Sequence, residues 1–84
     1  MTIHVRLFAI LRERAGLSHV LLELPDRATV DQATVALREK YPAIADHLSR
    51  IVFAVNQNYT DRGAVLNDGD ELALIPPVSG GMPR

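Results

Sequence analysis

Thr29-Val30-Asp31-Gln32-Ala33-Thr34-Val35-Ala36-Leu37-Arg38-Glu39-Lys40-Tyr41-Pro42 is the stretch on which the fold turns. Thr29 followed three residues later by Gln32 matches a capping box, in which the threonine hydroxyl accepts from a free N–H of the first turn. Val30, Ala33, Leu37 and Tyr41 recur at helical spacing and make one apolar stripe. Pro42 lacks an N–H and fixes φ, so it ends the helix. This is the one long helix of the chain. One helix covers one face of one sheet, so the other apolar stretches read mainly as strands of that sheet and the class is α+β.

Outward from the helix, strand periodicity appears on both sides. In Thr2 to Phe8, Ile3, Val5 and Leu7 alternate with His4 and Arg6, the pattern of a half-buried strand. His19 to Leu24 repeats it with Val20, Leu22 and Leu24. Between them Ala9 to Ala15 is rich in helix formers, and Gly16 supplies a stop. Pro25 to Ala28 connects to the long helix. After Pro42, Ile44, Ala45 and Leu48 suggest a short helical turn, with Asp46, His47 and Arg50 toward solvent. Ile51 to Asn56 is apolar on both faces and reads as a central strand. A turn is expected at Gln57-Asn58, a brief strand at Tyr59-Thr60, another turn at Asp61 to Gly63, and a short apolar piece at Ala64 to Leu66. Asn67-Asp68-Gly69-Asp70 is a strong turn signal. Glu71 to Ile75 is the last strand, with Leu72 and Leu74 on one side and Ala73 and Ile75 on the other. The expectation is a mixed sheet of four to five strands with one main helix on one face.

Eighty-four residues make one small domain, and 48% hydrophobic content suffices for a modest core. Nine basic and 10 acidic residues leave a net charge of −1, which offers nucleic acid or an anionic membrane no electrostatic attraction. No stretch approaches the roughly 20 apolar residues of a bilayer span, and no signal peptide is visible, so a cytoplasmic location is expected. Cysteine is absent, removing disulfides, thiolate metal sites and a cysteine nucleophile together. His4, His19 and His47 form no ligand-like spacing and read as surface or strand-face residues, so no metal site is expected. Asp68, Asp70 and Glu71 cluster in a turn that suits the two aspartates for its own sake. Ser18, Ser49 and Ser79 have no base nearby in sequence, and the glycines form no nucleotide fingerprint. No side-chain constellation supports an enzyme acting alone.

The residues that remain are the last ones. Residues 1–75 read as one domain, and residues 76–84 as an extended C-terminal tail, Pro76-Pro77-Val78-Ser79-Gly80-Gly81-Met82-Pro83-Arg84. Two prolines stop the strand and stiffen its exit. Gly80 and Gly81 could pass through a slot too narrow for any side chain. From Pro76 to Gly81 the extended reach is about 20 Å, enough to thread into a partner's pocket.

Leu7-Phe8-Ala9 with Leu11-Arg12-Glu13, Ala54-Val55-Asn56-Gln57, and Leu66 to Gly81 (LNDGDELALIPPVSGG) stand in an order and spacing that resemble the sulfur-carrying small subunits of molybdopterin synthase, within the ubiquitin-like β-grasp family. The resemblance covers nearly the whole chain. It implies a β-grasp sheet with the first and last strands adjacent and parallel in the middle. It also implies a sulfur carrier for molybdenum cofactor biosynthesis, in which Gly81 bears the chemistry. An adenylating partner, using ATP and magnesium, would activate the Gly81 carboxylate, and sulfur would replace AMP to give a thiocarboxylate. The tail, Pro76 to Gly81, would then enter the synthase large subunit, within a heterotetramer, and deliver sulfur to a cyclic pterin precursor. This chain itself would bind no cofactor. Phe8, Ala73 and Ile75, on the strand faces away from the core, are candidates for the partner interface; the other reading packs some of them under the Ala9–Ala15 helix. Thiamine-type sulfur carriage, covalent protein modification through Gly81, and a plain β-grasp interaction module are the alternatives.

One feature departs from the family pattern. Met82-Pro83-Arg84 follow Gly81, whose carbonyl is therefore an amide with no carboxylate to adenylate. A processing protease that removes the three residues, a paralogue that never carries sulfur, and a cloning remnant are the three explanations. The first makes the active form end at Gly81.

Overall fold

The structure is a computed structural model that describes residues 1–77. In chain order it forms β1 (Thr2–Leu7), α1 (Ala9–Ala15), β2 (His19–Glu23), α2 (Val30–Lys40), a 3-10 segment (Pro42–Arg50), β3 (Val52–Val55), β4 (Asn58–Thr60) and β5 (Glu71–Ile75). The five strands make one mixed sheet in the order β2-β1-β5-β3-β4. β1 is antiparallel to β2 and parallel to β5, and β3 is antiparallel to both β5 and β4. The last strand therefore occupies the centre, as the β-grasp arrangement requires.

α2 forms where its signals place it. The Thr29 hydroxyl accepts from the Gln32 N–H at 3.2 Å, and the Gln32 side-chain oxygen accepts from the Thr29 N–H at 2.8 Å. Two free donors of the first turn are thereby satisfied. Val30, Ala33 and Leu37 of α2 are fully buried against Ile3 and Val5 of β1 and Leu72 and Leu74 of β5. Thr34 lies in the same core, and its hydroxyl donates to the Val30 carbonyl, which removes the cost of burying it. Gly16 ends α1 with φ near +75° and an N–H bond to the Arg12 carbonyl, a position where any Cβ would be strained.

Three local expectations are adjusted. The region after Pro42 is a nine-residue 3-10 segment rather than a short turn, because Ile44 and Leu48 are both drawn fully into the core. The turn after β3 falls on Asn56-Gln57, one residue earlier than expected. Both have positive φ, +50° and +72°, and Asn58 already pairs with Val55 across the hairpin. Positive φ at both central residues gives the twist that joins adjacent strands closely. β3 is paired on both sides, yet Val52 is 42% exposed, because α2 covers only one face of the sheet. The Ala64–Leu66 piece forms an isolated bridge between Val65 and Thr29, with Leu66 buried beneath it.

Candidate functional site

The site begins with the strand that carries the tail. β5 is hydrogen-bonded on both sides and sends Leu72 and Leu74 into the core, so its position is heavily determined. Its start is fixed by a network of short-range polar contacts. Asp68 accepts from the Thr2 N–H at 2.7 Å, while Gly69, with φ near +85°, donates to the Thr2 carbonyl. Asp70 accepts from the Asn67 N–H at 2.8 Å through one oxygen and from the Asn56 side-chain amide at 2.9 Å through the other. The Asn56 amide oxygen takes the Glu71 N–H, and the Asn56 N–H donates to the Glu71 carbonyl. The cluster Asp68, Asp70 and Glu71 is thus structural, tying the turn, β5 and the β3–β4 hairpin together.

At the far end β5 stops at Ile75. Pro76 is half-buried and Pro77 exposed, so the chain leaves the sheet there. Both prolines line a cleft with Ile10 of α1 and with Asp46, His47 and Arg50 of the 3-10 segment. Gly81, on which the expected chemistry falls, and the threading residues Val78, Ser79 and Gly80 lie outside the described residues, as do Met82, Pro83 and Arg84.

The face of the sheet opposite α2 carries the other candidates. Phe8, Ala73 and Ile75 line one groove there together with Ala54, Tyr59 and Gln57. Ala73 stands opposite Ala54 in the register, and Ile75 opposite Val52. Tyr59 is 79% exposed and Phe8 36%. α1 does not cover Phe8: it sends Leu11 into the core and packs against the 3-10 segment. Arg6 frames the groove, its guanidinium 5.7 Å from the Phe8 ring centre and 3.1 Å from the Glu71 carboxylate. The result is an apolar strip with a charged margin.

Two of the three histidines, expected as surface or strand-face residues, form a pair that their spacing in the chain does not reveal. His4 Nδ1 lies 3.3 Å from His19 Nε2, with the rings stacked 18° from parallel. Fifteen residues separate them in the chain, and only the β1–β2 register brings them together. Among the described residues, no three or more His, Cys, Asp or Glu side chains are grouped to hold a metal ion.

Comparison with known proteins matches residues 5–81 to the ThiS family. The chain belongs to this family. The match begins in β1 and runs through Gly81, taking in both the sheet and the two glycines of the tail. Among curated ThiS-type relatives, the molybdopterin synthase sulfur carrier subunit of Arabidopsis thaliana is 39% identical over 79 residues, covering 94% of this chain and 82% of that one. The small archaeal modifier protein 1 of Haloferax volcanii superposes with a TM-score of 0.86 at 33% identity, covering 92% and 98% of the two chains. A further structural neighbour is a chain in the complex of subunits 1 and 2 of the molybdopterin-converting factor of Helicobacter pylori. Its TM-score is 0.71 at 26% identity, with 96% and 100% coverage.

Proposed function

We propose that this chain is the sulfur carrier subunit of a molybdopterin synthase, with Gly81 as the residue that bears the sulfur. The observation that carries the reading is where the family match ends. It runs to Gly81 and stops, and the strand feeding that tail is the central one, anchored on both sides. A rigid base with a slender tip suits a group that must be offered to one active site after another, because misplacement of a reacting atom costs rate steeply.

The chemistry follows from the glycine. Hydrolysis of the Gly81–Met82 peptide bond by a processing protease exposes a carboxylate. That carboxylate attacks the α-phosphorus of ATP on an adenylating enzyme, with magnesium bound there, and pyrophosphate leaves. Hydrosulfide then adds to the acyl-adenylate, expels AMP and loses its proton, leaving a thiocarboxylate whose sulfur is the nucleophile toward the pterin precursor. This chain supplies the acyl group and its presentation; the ATP, magnesium and pterin sites belong to partners. The large subunit of the synthase is the partner best supported, through the likeness to a chain of a subunit 1 and 2 complex. The apolar strip of Phe8, Ala73 and Ile75 is the surface we assign to docking, and Pro76 to Gly80 is the segment that threads. A cytoplasmic site of action fits the ATP dependence, and no helix among the described residues is long and apolar enough to cross a membrane.

Intact mass spectrometry of the protein taken from its own host tests this reading. The expected species ends at Gly81, and a fraction of it is heavier by the exchange of one oxygen for sulfur. A population that always retains Met82 would end the carrier reading.

The likeness to a small archaeal modifier protein favours a second reading, in which activated Gly81 is joined to a lysine of another protein. Tagged chain recovered in higher-mass conjugates from host extract separates this from carriage alone.

A further inference from the structure

We infer that the free edge of β2 pairs with the same edge of a second copy, joining two molecules into one continuous sheet. This edge lies across β1 from the apolar strip, with His19 opposite Arg6 in the β1–β2 register, and the inference does not depend on the sulfur-carrier reading.

The argument starts from which backbone groups of β2 are unused. At its two ends the β1–β2 ladder is anchored by the Leu7 N–H donating to the Ser18 carbonyl, and by Met1 and Leu24 exchanging both of their bonds. Bonded and unbonded pairs alternate along an antiparallel ladder. With the register Ile3 opposite Leu22 and Val5 opposite Val20, those two pairs are the bonded ones. The N–H and C=O groups of His19, Leu21 and Glu23 therefore point away from β1. The opposite side of β1 agrees, since the His4 N–H turns to the Asp70 carbonyl beside β5. β2 is the end strand of the sheet, so nothing within the sheet meets those groups. An edge strand of five residues whose outward polar groups have no partner among the described residues is a template for another strand.

The side chains then select the partner and the register. His19, Leu21 and Glu23 share the open face and are all exposed, with Leu21 at 52%. In an antiparallel pairing centred on Leu21, that residue meets its own copy. His19 of each chain meets Glu23 of the other, an imidazole donor against a carboxylate. Each of the three outward residues exchanges both backbone bonds with its counterpart. On the covered face Val20 stands opposite Leu22 of the other chain. Sliding by two residues in one direction sets Leu21 against Glu23 and His19 against Pro25, which has no N–H. Sliding the other way sets Leu21 against His19 and pushes Glu23 beyond the strand to Leu17. A one-residue slide opposes side chains of different faces. Self-complementarity of this kind is what a two-fold interface demands. The strand is only about 17 Å long, so the pairing is smaller than a standard stable interface and the dimer forms weakly, at high concentration. The two copies of β5 run antiparallel in the joined sheet, so their Ile75 ends lie at opposite ends of it.

Sedimentation velocity and translational diffusion by NMR, on the complete chain over a hundred-fold concentration range up to millimolar, test the inference. The expected result is a monomer at the low end and a dimer at the high end, with amide exchange slowed at His19, Leu21 and Glu23 as the dimer fills. Glu23→Lys and His19→Glu should each weaken association about tenfold, and the double variant His19→Glu/Glu23→Lys should restore it. Should a single variant fail to fold, the double variant and the exchange pattern of the unaltered protein still decide. A monomer throughout overturns the inference. So does a dimer whose concentration-dependent signals map to Phe8, Ala73 and Ile75 or to β4, or a double variant that stays monomeric.

Discussion

Asn56 concentrates several roles in one side chain. It sits at positive φ, where asparagine is among the few tolerated residues, and its amide group holds both Asp70 and the first N–H of β5. Gln57 next to it also has positive φ, +72°, but among the described residues its side chain makes no hydrogen bond of that kind. Glycine is the residue this turn position favours. Gln57→Gly should therefore raise stability by about 0.5–1 kcal/mol, read as a shift in the urea midpoint with an unchanged slope. A midpoint that falls would show that Gln57 makes a contribution its backbone angle hides. Arg62 is another residue with several attachments, stacked 4.9 Å from the Phe53 ring centre while bonded to Asp31 and to the Leu48 carbonyl. In the sequence, Asp61-Arg62-Gly63 reads only as a turn. Its partners lie on three separate elements, and no local spacing reveals them.

Among the elements, α2 was the most legible and the most consequential. Its capping box, apolar stripe and terminating proline agree, so local preference and tertiary packing point the same way. Thr29→Ala removes the hydroxyl that accepts the Gln32 N–H and should destabilise the protein by about 1 kcal/mol, with thermal unfolding as the measure. A loss near zero would mean that the Thr29–Val65 bridge carries the helix start by itself. The strands were legible through alternation wherever one face is buried, as in β1, β2 and β5. β3 reads as a central strand, but Ile51 to Val55 is apolar throughout, so its edges carry no period. The hairpin turn slipped by one residue for the same reason. The 3-10 segment was underestimated because its two anchors, Ile44 and Leu48, also fit a single helical turn. Of the candidate site, the alternation in β5 placed Ala73 and Ile75 on the open face. That Ala54 and Tyr59 join them follows only from strand register, which a linear reading does not contain.

At the scale of the whole molecule, the sheet divides its two faces between stability and recognition. α2 and the 3-10 segment seal one face, while the other keeps an apolar strip beside the exit of the tail. Phe8→Asp alters that strip at a partly exposed position and should change folding stability by less than about 1 kcal/mol. It should weaken binding to a synthase large subunit at least tenfold, as measured by titration calorimetry. Unchanged binding would remove Phe8 from the docking surface and leave the tail as the main determinant of association.

The order of strands has a consequence for how the molecule is made. Of the described strands, β5 is the last to leave the ribosome and the one that belongs between β1 and β3. Until it arrives, both neighbours lack the partner that fills the middle of the sheet, and α2 has only part of the surface it packs against. Long-range pairing of this sort sets a slow step in folding. A nascent chain halted before Glu71 should therefore remain open to proteases and chaperones, however much of the sheet it has already synthesised. The residues that anchor the functional tail are thus also the ones that complete the fold, so a chain that presents the tail has, by construction, passed its own test of folding.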